Sequence, residues 1–546
     1  VYGGFTGSEN SIDQRNPTLH ETLLNGYLGE GFRSHHVVRI EDATSVYLDG
    51  FTVKNGMTGG LGESRHGAGI WVRNATGANV IANCQIIENN TVNGDQFLVW
   101  DPPGDPNAGG GAGIYLESSQ LEIRGCTISQ NITGNGASDS RYGPPTGAGG
   151  DGAGIYCNAS KLLISECTVA NNRNGNGGSG YWYQGNRGGQ GAGVFAYLST
   201  VEICSSAIKD NHAGNGGYGG DYFGSSQNAG PGGDGGGIFA HTSSLTIKNS
   251  NVQDNSAGRG GDAGAYGYSF VFQSAGSGGK GGGVFCTSSS LVQLVETTFI
   301  GNSAGEGGTK LASGGYEYTP GQGGTGGNGG ALFASNSAGE VHVQSCIFES
   351  NTAGRGGDNL CFPNDFSPIA GSGGHGGGIC ILNAVESTWL ANTLLALNSA
   401  GNGGDSLSKS GSGGFGGAVY INSVFSVINS SLVSNSAGLK GTGLEEYQQS
   451  VPHGGGGGIY SATDTLIGNS ILWDNRVAGD IVSETAQIAL PATVDHSCIQ
   501  GWTGVSGGVG VRRRNLGLGQ ELGGRPAGSA RRRGGAPKCS YLGGPG

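Results

Sequence analysis

One sequence unit recurs eleven times along most of the chain, and this repeat constrains the fold more than any other feature. We take Ser250, in the copy at residues 235–262, as position zero. Every copy then has an aliphatic residue three positions earlier and an apolar residue two positions later. Five positions later, ten successive copies have asparagine. These are Asn89, Asn131, Asn172, Asn211, Asn255, Asn302, Asn351, Asn398, Asn435 and Asn475.

The offsets within each copy predict short β-strands. Polar residues such as Thr246 and Lys248 alternate with apolar ones before position zero, which is the period of two expected of a half-buried strand. The phase changes just before position zero, which indicates a bend between two strands. One such strand cannot bury its inner face alone, whereas a stack of equivalent coils can. The repeat therefore predicts an all-β parallel solenoid with one coil per copy.

The recurring asparagine predicts a ladder at one corner of the solenoid. A side-chain amide both donates and accepts hydrogen bonds, so stacked asparagines can bond to one another along the rod. Asparagine also tolerates the left-handed backbone conformation that tight turns need. We expect the ten asparagines to be structural.

Length and composition agree with a solenoid. The chain has 546 residues, more than one compact core usually holds, but the core of a solenoid grows along one axis. Eleven coils spaced ~4.8 Å apart would form a rod roughly 50 Å long. Glycine accounts for 117 residues without a strict Gly-X-Y register, which excludes collagen. No apolar run reaches the ~18 residues of a membrane-spanning helix.

The eleven cysteines do not predict a disulfide framework. Cys84, Cys126 and Cys167 occupy position zero in successive copies, as Cys346 does further along, and six other copies have serine or threonine there. Adjacent coils would bring these cysteines near disulfide distance, but the free exchange with hydroxyl residues favours unpaired thiols. No spacing fits a zinc site.

Each coil also contains a second, variable part. After the corner asparagine, a glycine-rich excursion of 20 to 29 residues precedes the next glycine-aliphatic-aromatic triplet. All excursions leave from the same corner, so we expect long Gly-rich loops on one edge of the rod. Loops carried by a rigid scaffold are where function most often lies.

Several copies resemble a known family. GGALF at residues 329–333 is followed by FESN at 348–351, and GGAVY at 416–420 is followed by LVSN at 432–435. These resemble the GGA[ILV] and FxxN repeats of the polymorphic outer membrane proteins. Together with NSILWDN at 469–475, they also resemble the wider group of right-handed parallel β-helix, pectin-lyase-like repeat proteins of bacteria. The resemblance covers roughly residues 1–502.

The resemblance implies a right-handed parallel β-helix of about eleven to twelve coils. It also implies a secreted or cell-surface protein, with outer-membrane placement as one form, whose partners are polysaccharides or host and cell-surface components. We expect no nucleic-acid partner. The leading hypothesis is a non-catalytic adhesin or structural scaffold. The alternative is a carbohydrate-active enzyme, a polysaccharide lyase or glycoside hydrolase, although the outward strand positions lack the carboxylate cluster such lyases use.

One acidic column is a candidate metal site. Asp262, Asp358 and Asp405 each lie seven residues after a corner asparagine, within the sequence GGD. Glycine-aspartate repeats bind calcium when they recur every nine residues, but here they recur once per coil. Calcium is therefore possible as a cofactor, and the alternative is that these aspartates cap turns. No other cofactor is expected.

The triplet strand carries an aromatic column. Its aliphatic residue should face the core, so the next residue should face outward. This second residue is Trp71, Tyr115, Tyr156, Phe195, Phe239, Phe285, Phe333, Cys380, Tyr420 and Tyr460. An outward aromatic column could stack on sugar rings, or the loops could cover it. Because long excursions mostly precede the phenylalanines, we expect a covered middle and glycan contacts only at the ends, at Trp71, Tyr115, Tyr420 and Tyr460.

The sequence divides into three parts. Residues 1–35 are predicted to form an N-terminal cap, residues 36–510 the β-helix, and residues 511–546 a disordered basic tail. The tail holds seven arginines, one lysine and one glutamate, whereas the rest of the chain has 20 basic and 39 acidic residues. We expect the tail to be a disordered end or an out-of-frame translation after Gly510, and the alternative is a basic arm that binds nucleic acid or a surface.

We expect limited proteolysis to remove the tail beyond about Gly510 without changing thermal stability, because the tail lacks strand alternation and has nothing to pack into the coils. Differential scanning calorimetry of the intact and trimmed proteins would check this. A large fall in melting temperature after trimming would show that the tail packs on the body.

Overall fold

The structure is a computed structural model. It describes residues 1–59, 65–95, 105–139, 146–180, 183–222, 225–226, 228–264, 273–289, 291–311, 321–335, 339–361, 369–384, 388–448, 450–489 and 492–503. The predicted tail at residues 511–546 lies outside the described residues.

Three long parallel sheets form the body of the protein, and each coil contributes one strand to each sheet. Sheet I contains the triplet strands Val38–Glu41, Ile70–Arg73, Ile114–Glu117, Ile155–Asn158, Val194–Tyr197, Ile238–His241, Val284–Thr287, Leu332–Ser335, Ile379–Leu382, Val419–Ile421, Ile459–Ser461 and Ile488–Ala489. Sheet II contains Tyr47–Asp49, Val80–Ala82, Gln120–Arg124, Lys161–Ser165, Thr200–Cys204, Ser244–Lys248, Leu291–Val295, Glu340–Gln344, Thr388–Ala391, Phe425–Ile428, Thr465–Gly468 and Ala492–Asp495. Sheet III contains Thr22–Asn25, Phe51–Lys54, Gln85–Ile87, Thr127–Ser129, Thr168–Ala170, Ala207–Lys209, Asn251–Gln253, Thr298–Ile300, Ile347–Glu349, Leu394–Ala396, Ser431–Val433, Ile471–Trp473 and Cys498–Ile499.

This architecture is a right-handed parallel β-helix, and the predicted fold class is confirmed. Equivalent residues pair in register from coil to coil; Ile238, for example, lies between Val194 and Val284. Ile238, Ile247 and Val252 point inward from the three sheets and are fully buried in one continuous core. Because every coil repeats these positions, the core runs along the whole rod.

Two tight bends connect the strands of each coil. The residue just before position zero has a positive φ, as in Asn249 at 47°, which is where the break in sequence phase indicated a bend. The second left-handed residue comes just before the corner asparagine, as in Asp254 at 51°. The corner asparagine is therefore not itself the left-handed residue, contrary to the expectation. Its neighbour takes that conformation and turns the amide inward.

The ten corner asparagines form a continuous buried ladder. The Nδ2 of Asn255 donates to the carbonyl of Ile208 at 2.9 Å and to Oδ1 of Asn302 at 3.0 Å. The backbone N–H of Asn255 donates to the same Oδ1 at 3.1 Å. The ladder ends at Gln487, whose side-chain oxygen accepts from Asn475. Each amide thus satisfies polar groups that the turn would otherwise bury unpaired.

A second ladder explains the mixed residues at position zero. The N–H of Cys126 donates to Sγ of Cys167 at 3.3 Å, and the N–H of Cys167 donates to Oγ of Ser206 at 3.1 Å. A thiol or a hydroxyl can accept this bond, so cysteine, serine and threonine exchange along the column. Cys84, Cys126 and Cys167 are free thiols.

The described parts of the glycine-rich excursions lie along one edge of the rod, as predicted, and form a second ordered layer with its own hydrogen-bond pattern. Each excursion has an outgoing segment after the corner asparagine and a returning segment before the next triplet. Gly276 and Gly279 of one returning segment donate to the carbonyls of Gly261 and Gly258 at 2.9 and 2.8 Å. We call the stack of paired segments the slab.

Hydrogen bonds in the slab repeat every three residues. Ala257, Gly260 and Ala263 donate to carbonyls of the next coil, whereas Gly258 and Gly261 donate to the neighbouring returning segment. The third residue of a turn donates instead to a side chain of the preceding coil; Arg259 N–H, for example, donates to Oδ1 of Asn215 at 2.9 Å. Three residues per turn is the period of a polyproline II helix, whose backbone groups all point outward. Stacking such helices lets them satisfy one another.

Glycine is required because the slab segments approach closely. A Cβ added to Gly258 would lie 1.8 Å from the carbonyl oxygen of Gly214, and one added to Gly261 would lie 2.1 Å from that of Gly217. The third residue of each turn faces solvent and carries a side chain, as Arg259 and Asp262 do. The high glycine content therefore reflects backbone packing between helices.

The remaining elements lie at the ends and edges. Thr22–Asn25 pairs with Phe51–Lys54, so sheet III begins inside the predicted cap of residues 1–35. The short elements are the 3-10 helix Ile12–Gln14, the hairpins Tyr27–Gly29 with Phe32–Arg33 and Asp221–Tyr222 with Ser225–Ser226, and the α-helices Glu445–Gln448 and Glu484–Gln487. Within the described ranges, no helix is long and apolar enough to cross a membrane.

The slab gives a sharp prediction about two glycines. Gly258→Ala should lower the free energy of unfolding by about 1–3 kcal/mol, because the methyl group would overlap a backbone oxygen that cannot move without shifting a neighbouring helix. Gly468→Ala is the matched control, because a Cβ there has no atom within 4 Å. Urea unfolding followed by circular dichroism would compare them. Equal stability of the two variants would contradict the close packing of the slab.

Candidate functional site

The slab presents two faces, and each is built from the third residues of successive turns. On the outgoing face these residues lie one, four and seven positions after the corner asparagine. On the returning face, these third residues belong to the segment that precedes the glycine-aliphatic-aromatic triplet. Side chains of one column stand one coil apart, ~4.8 Å along the rod. Each face is therefore a regular array whose chemistry depends on the residue chosen at each coil.

A groove of about 550 Å³ runs along the outgoing face where the slab meets sheet III. We call it the amide groove. One wall is the column four positions after the corner, and the other is the column one position after it. The first column contributes Asn93, Asn135, Asn176 and Asn215, and the second contributes Asn90, Ile132, Arg173, His212 and Ser256.

The asparagines of the groove wall are held by their oxygens. Oδ1 of Asn93 accepts from the backbone N–H of Asn135 at 2.8 Å, and Oδ1 of Asn135 accepts from that of Asn176 at 2.8 Å. Asn176 and Asn215 continue the pattern into the next coils. The four side chains are exposed, and their Nδ2 groups donate to no described residue. The wall is thus a row of oriented N–H donors facing solvent.

The groove is positively charged and contains no carboxylate among its lining residues. Arg173 is exposed and forms no ion pair or side-chain hydrogen bond with any described residue. His212 bonds to Oγ of Ser256 at 2.6 Å, and burial, reinforced by the charge of Arg173, lowers its pKa. At neutral pH, Arg173 therefore supplies the full charge of the groove.

An unsatisfied polar group lies behind the groove, next to the returning segment. Asn174 is 8 % exposed, and its Oδ1 accepts from the N–H of Ala153 at 2.9 Å. Its buried Nδ2 has no hydrogen-bond partner among the described residues. Buried polar groups are nearly always paired, so this donor is an exception in the slab.

The predicted calcium column is neutralised by arginine. Asp262 lies 2.6 Å from Arg259, and a single guanidinium, that of Arg355, lies 2.7 Å from both Asp358 and Asp405. Their Oδ1 atoms also accept backbone N–H bonds from the next coil. The described residues contain no group of three or more His, Cys, Asp or Glu side chains that could hold a metal. This geometry fits the turn-capping alternative, and calcium binding stays an untested prediction.

The aromatic column lies outside the core, as predicted, and its middle is covered. Phe195, Phe239, Phe285 and Phe333 stack in a buried cluster with ring centroids about 5 Å apart. The last residue of a returning segment can lie over this column; Lys280, for example, lies 5.2 Å above the ring of Phe333.

The ends of the aromatic column differ from each other. Trp71 is 2 % exposed beneath His36 and Arg39, and Tyr115 is 8 % exposed beneath His66. These two residues are therefore not open for stacking on a sugar, because His36 and Arg39 lie over Trp71 and His66 lies over Tyr115. Tyr420 and Tyr460 are half-buried and stack on each other at 5.3 Å. A glycan contact at these two tyrosines stays a prediction.

The returning face also holds half-buried charges that the sequence did not reveal. Asp151 and Arg187 form a two-point ion pair at 2.7 and 2.9 Å, and the Asp151 carboxylate raises the pKa of the guanidinium. Two coils from Asp151 along this column, Asp234 accepts the backbone N–H of Lys280 at 2.7 Å. Burial raises the pKa of Asp234.

A comparison with known protein families and curated proteins found no match. Among solved structures, the chain is similar to a mutant of DFA-IIIase from Arthrobacter chlorophenolicus A6, with 8 % identity and a TM-score of 0.21 over 81 % of this chain and 89 % of that chain. It is also similar to the receptor-binding protein of bacteriophage Det7, a podoviral tailspike in a myovirus, with 10 % identity and a TM-score of 0.21 over 94 % and 76 % of the two chains. At these scores neither similarity bears on activity or ligand.

His375 makes the cover of the aromatic column sensitive to pH. Its Nδ1 accepts the N–H of Phe415 at 3.0 Å, its ring stacks on Tyr420, and burial lowers its pKa from 6.5 to about 4. The unfolded chain therefore takes up the proton first. We expect the stability contributed by neutral His375 to be full above pH 6.5 and to fall as the pH drops towards 4.

The matched variant is His375→Asn, because Asn328 accepts the same backbone bond one coil earlier, from His375 N–H at 2.7 Å. The variant should unfold with a weaker dependence on pH between about 6.5 and 4 than the wild type. Urea midpoints measured across this range would check the difference. Parallel curves for the two proteins would show that His375 does not titrate on unfolding.

Proposed function

We propose that the protein is a non-catalytic adhesin or structural scaffold that acts outside the cell or at the cell surface. The observation that carries this proposal is the hydrogen bonding from coil to coil in the described parts of the slab. Glycine helices, strands and corner asparagines all bond to the next coil. Such a rod holds its surface side chains at fixed spacing, which suits recognition of, or support for, an extended partner.

The state of the carboxylates favours binding over catalysis. Glycosidases need two carboxyl groups flanking the bond to be cleaved, one of them free to accept or donate a proton. In the acidic column of the outgoing face, each carboxylate is paired with arginine and accepts a backbone bond. These carboxylates therefore stabilise the fold. The resemblance to polymorphic outer membrane protein repeats adds support for a surface location and for polysaccharide or cell-surface partners.

One observation favours the enzymatic alternative. Asp234 has a raised pKa, as a general acid needs, and Asp151 is paired with Arg187 at 2.7 and 2.9 Å. Two coils separate them, roughly 10 Å by strand spacing, which is close to the separation of ~6.5–9.5 Å in inverting glycosidases. Both carboxylates also accept backbone N–H groups, of Gln190 and Lys280 respectively, so the same positions are explained by the fold.

The experiment that separates the two functions measures product release and retention together. Wild-type protein should be retained on an insoluble polysaccharide or on whole cells, and it should release no reducing ends or unsaturated sugars from a panel of soluble polysaccharides. Asp234→Asn keeps the backbone acceptor and removes the acid, so it should behave like the wild type. Release of product by the wild type that disappears in this variant would replace the scaffold proposal with a hydrolase.

A further inference from the structure

We propose that the amide groove is a binding site for a linear anionic polysaccharide lying along the rod, with the asparagine wall bonding its hydroxyl and ring oxygens and Arg173 its carboxylate or sulfate group. The site juxtaposes Asn93, Asn135, Asn176 and Asn215 with Arg173. This inference rests on the proposed function, because it names the site and ligand class through which a non-catalytic surface protein would bind.

The spacing of the donors selects a glycan. One amide N–H group recurs per coil, ~4.8 Å apart along the axis. One coil advance is close to the length of one sugar ring in an extended polysaccharide, so successive sugars can meet successive asparagines. An extended peptide advances ~3.3 Å per residue, and residues facing the same side are about twice as far apart, so its acceptors would drift out of register within a few coils.

The donors are oriented before any ligand arrives. Each wall asparagine has its oxygen fixed by a backbone N–H of the next coil, as Asn135 has by Asn176 at 2.8 Å. The amide cannot flip without losing that bond, so its nitrogen always faces the groove. Fixing donors in advance reduces the entropy that binding would otherwise cost.

The opposite wall supplies apolar and charged contacts. Ile132 is 46 % exposed and offers an apolar surface to the C–H face of a sugar ring. One coil further along, Arg173 stands without a carboxylate partner among the described residues, in a chain with 40 acidic and 28 basic residues. A guanidinium bonds carboxylate or sulfate oxygens with two parallel N–H groups. The groove therefore favours an anionic over a neutral glycan.

The test uses the full chain and two matched variants. Asn135→Asp keeps the oxygen that accepts from Asn176 and replaces the donor with a negative charge; aspartates already play this structural part at Asp262 and Asp405. Asn402→Asp makes the same change in the same column outside the groove, where Oδ1 of Asn402 accepts from Leu439 at 2.8 Å. Both variants should fold as the wild type does.

Calorimetric titrations would use three oligosaccharides of equal length: one alternating uronate and N-acetylhexosamine, one sulfated, and one neutral β-linked glucan. We expect the wild type and Asn402→Asp to bind an anionic oligosaccharide, and Asn135→Asp to bind it at least ~10-fold more weakly. Arg173→Gln should bind the anionic and neutral oligosaccharides alike. The better of the two anionic probes distinguishes a carboxylate from a sulfate ligand.

Three outcomes would overturn the inference. Binding of none of the probes by the wild type would remove the site but leave a scaffold function standing. Equal binding by Asn135→Asp and Asn402→Asp would place the ligand elsewhere. A wild type that binds neutral and anionic probes equally would refute the anionic class. Failure of the proposed function is a separate result, namely release of cleaved product in the activity assay.

Discussion

Every part of this molecule depends on one constraint, which is that the backbone N–H groups of each coil must find acceptors on a neighbouring coil. Buried unpaired backbone groups are costly, so a solenoid extends only if each new coil satisfies the one before it. The strands meet the requirement by parallel pairing, the corners by the side chains of residues such as Asn255 and Ser206, and the excursions by the helices of the slab. Strands, corners and slab thus satisfy the same hydrogen-bonding requirement, each with the repeat of one coil.

The sequence predicted the coil well because the repeat of the coil is visible as recurring side-chain types. The aliphatic columns through Ile247 and Val252 and the asparagines through Asn255 recur at fixed offsets, and each has one physical use. The slab was missed because its period is carried by residues without side chains. Gly258 and Gly261, or Gly276 and Gly279, are spaced by three within each segment, but insertions between segments hide any Gly-X-Y register across the chain.

The candidate site was less predictable, because the exposure of each residue depends on side chains from other coils that pack over it. Period two correctly directed the aromatic column outward, but the burial of Trp71 and Tyr115 comes from histidines on other coils, which no local pattern records. The amide groove did leave a signal. Asn93, Asn135, Asn176 and Asn215 recur four residues after the corner, although in fewer coils than the corner asparagines. Recurrence alone could not tell an exposed asparagine from a buried one.

The two halves of the outgoing face use the same backbone device with opposite consequences. An asparagine that accepts the N–H of the next coil uses its oxygen and keeps two N–H groups for a partner, whereas an aspartate keeps a charge that must be balanced. In the later coils, Arg259 and Arg355 form ion pairs with Asp262, Asp358 and Asp405, so these charged groups are paired with one another. In the earlier coils, the asparagines four positions after the corner make the same kind of bond, so their donors stay available. Whether an asparagine or an aspartate makes this bond therefore decides whether that position of the rod can bind a partner or only holds the coils together.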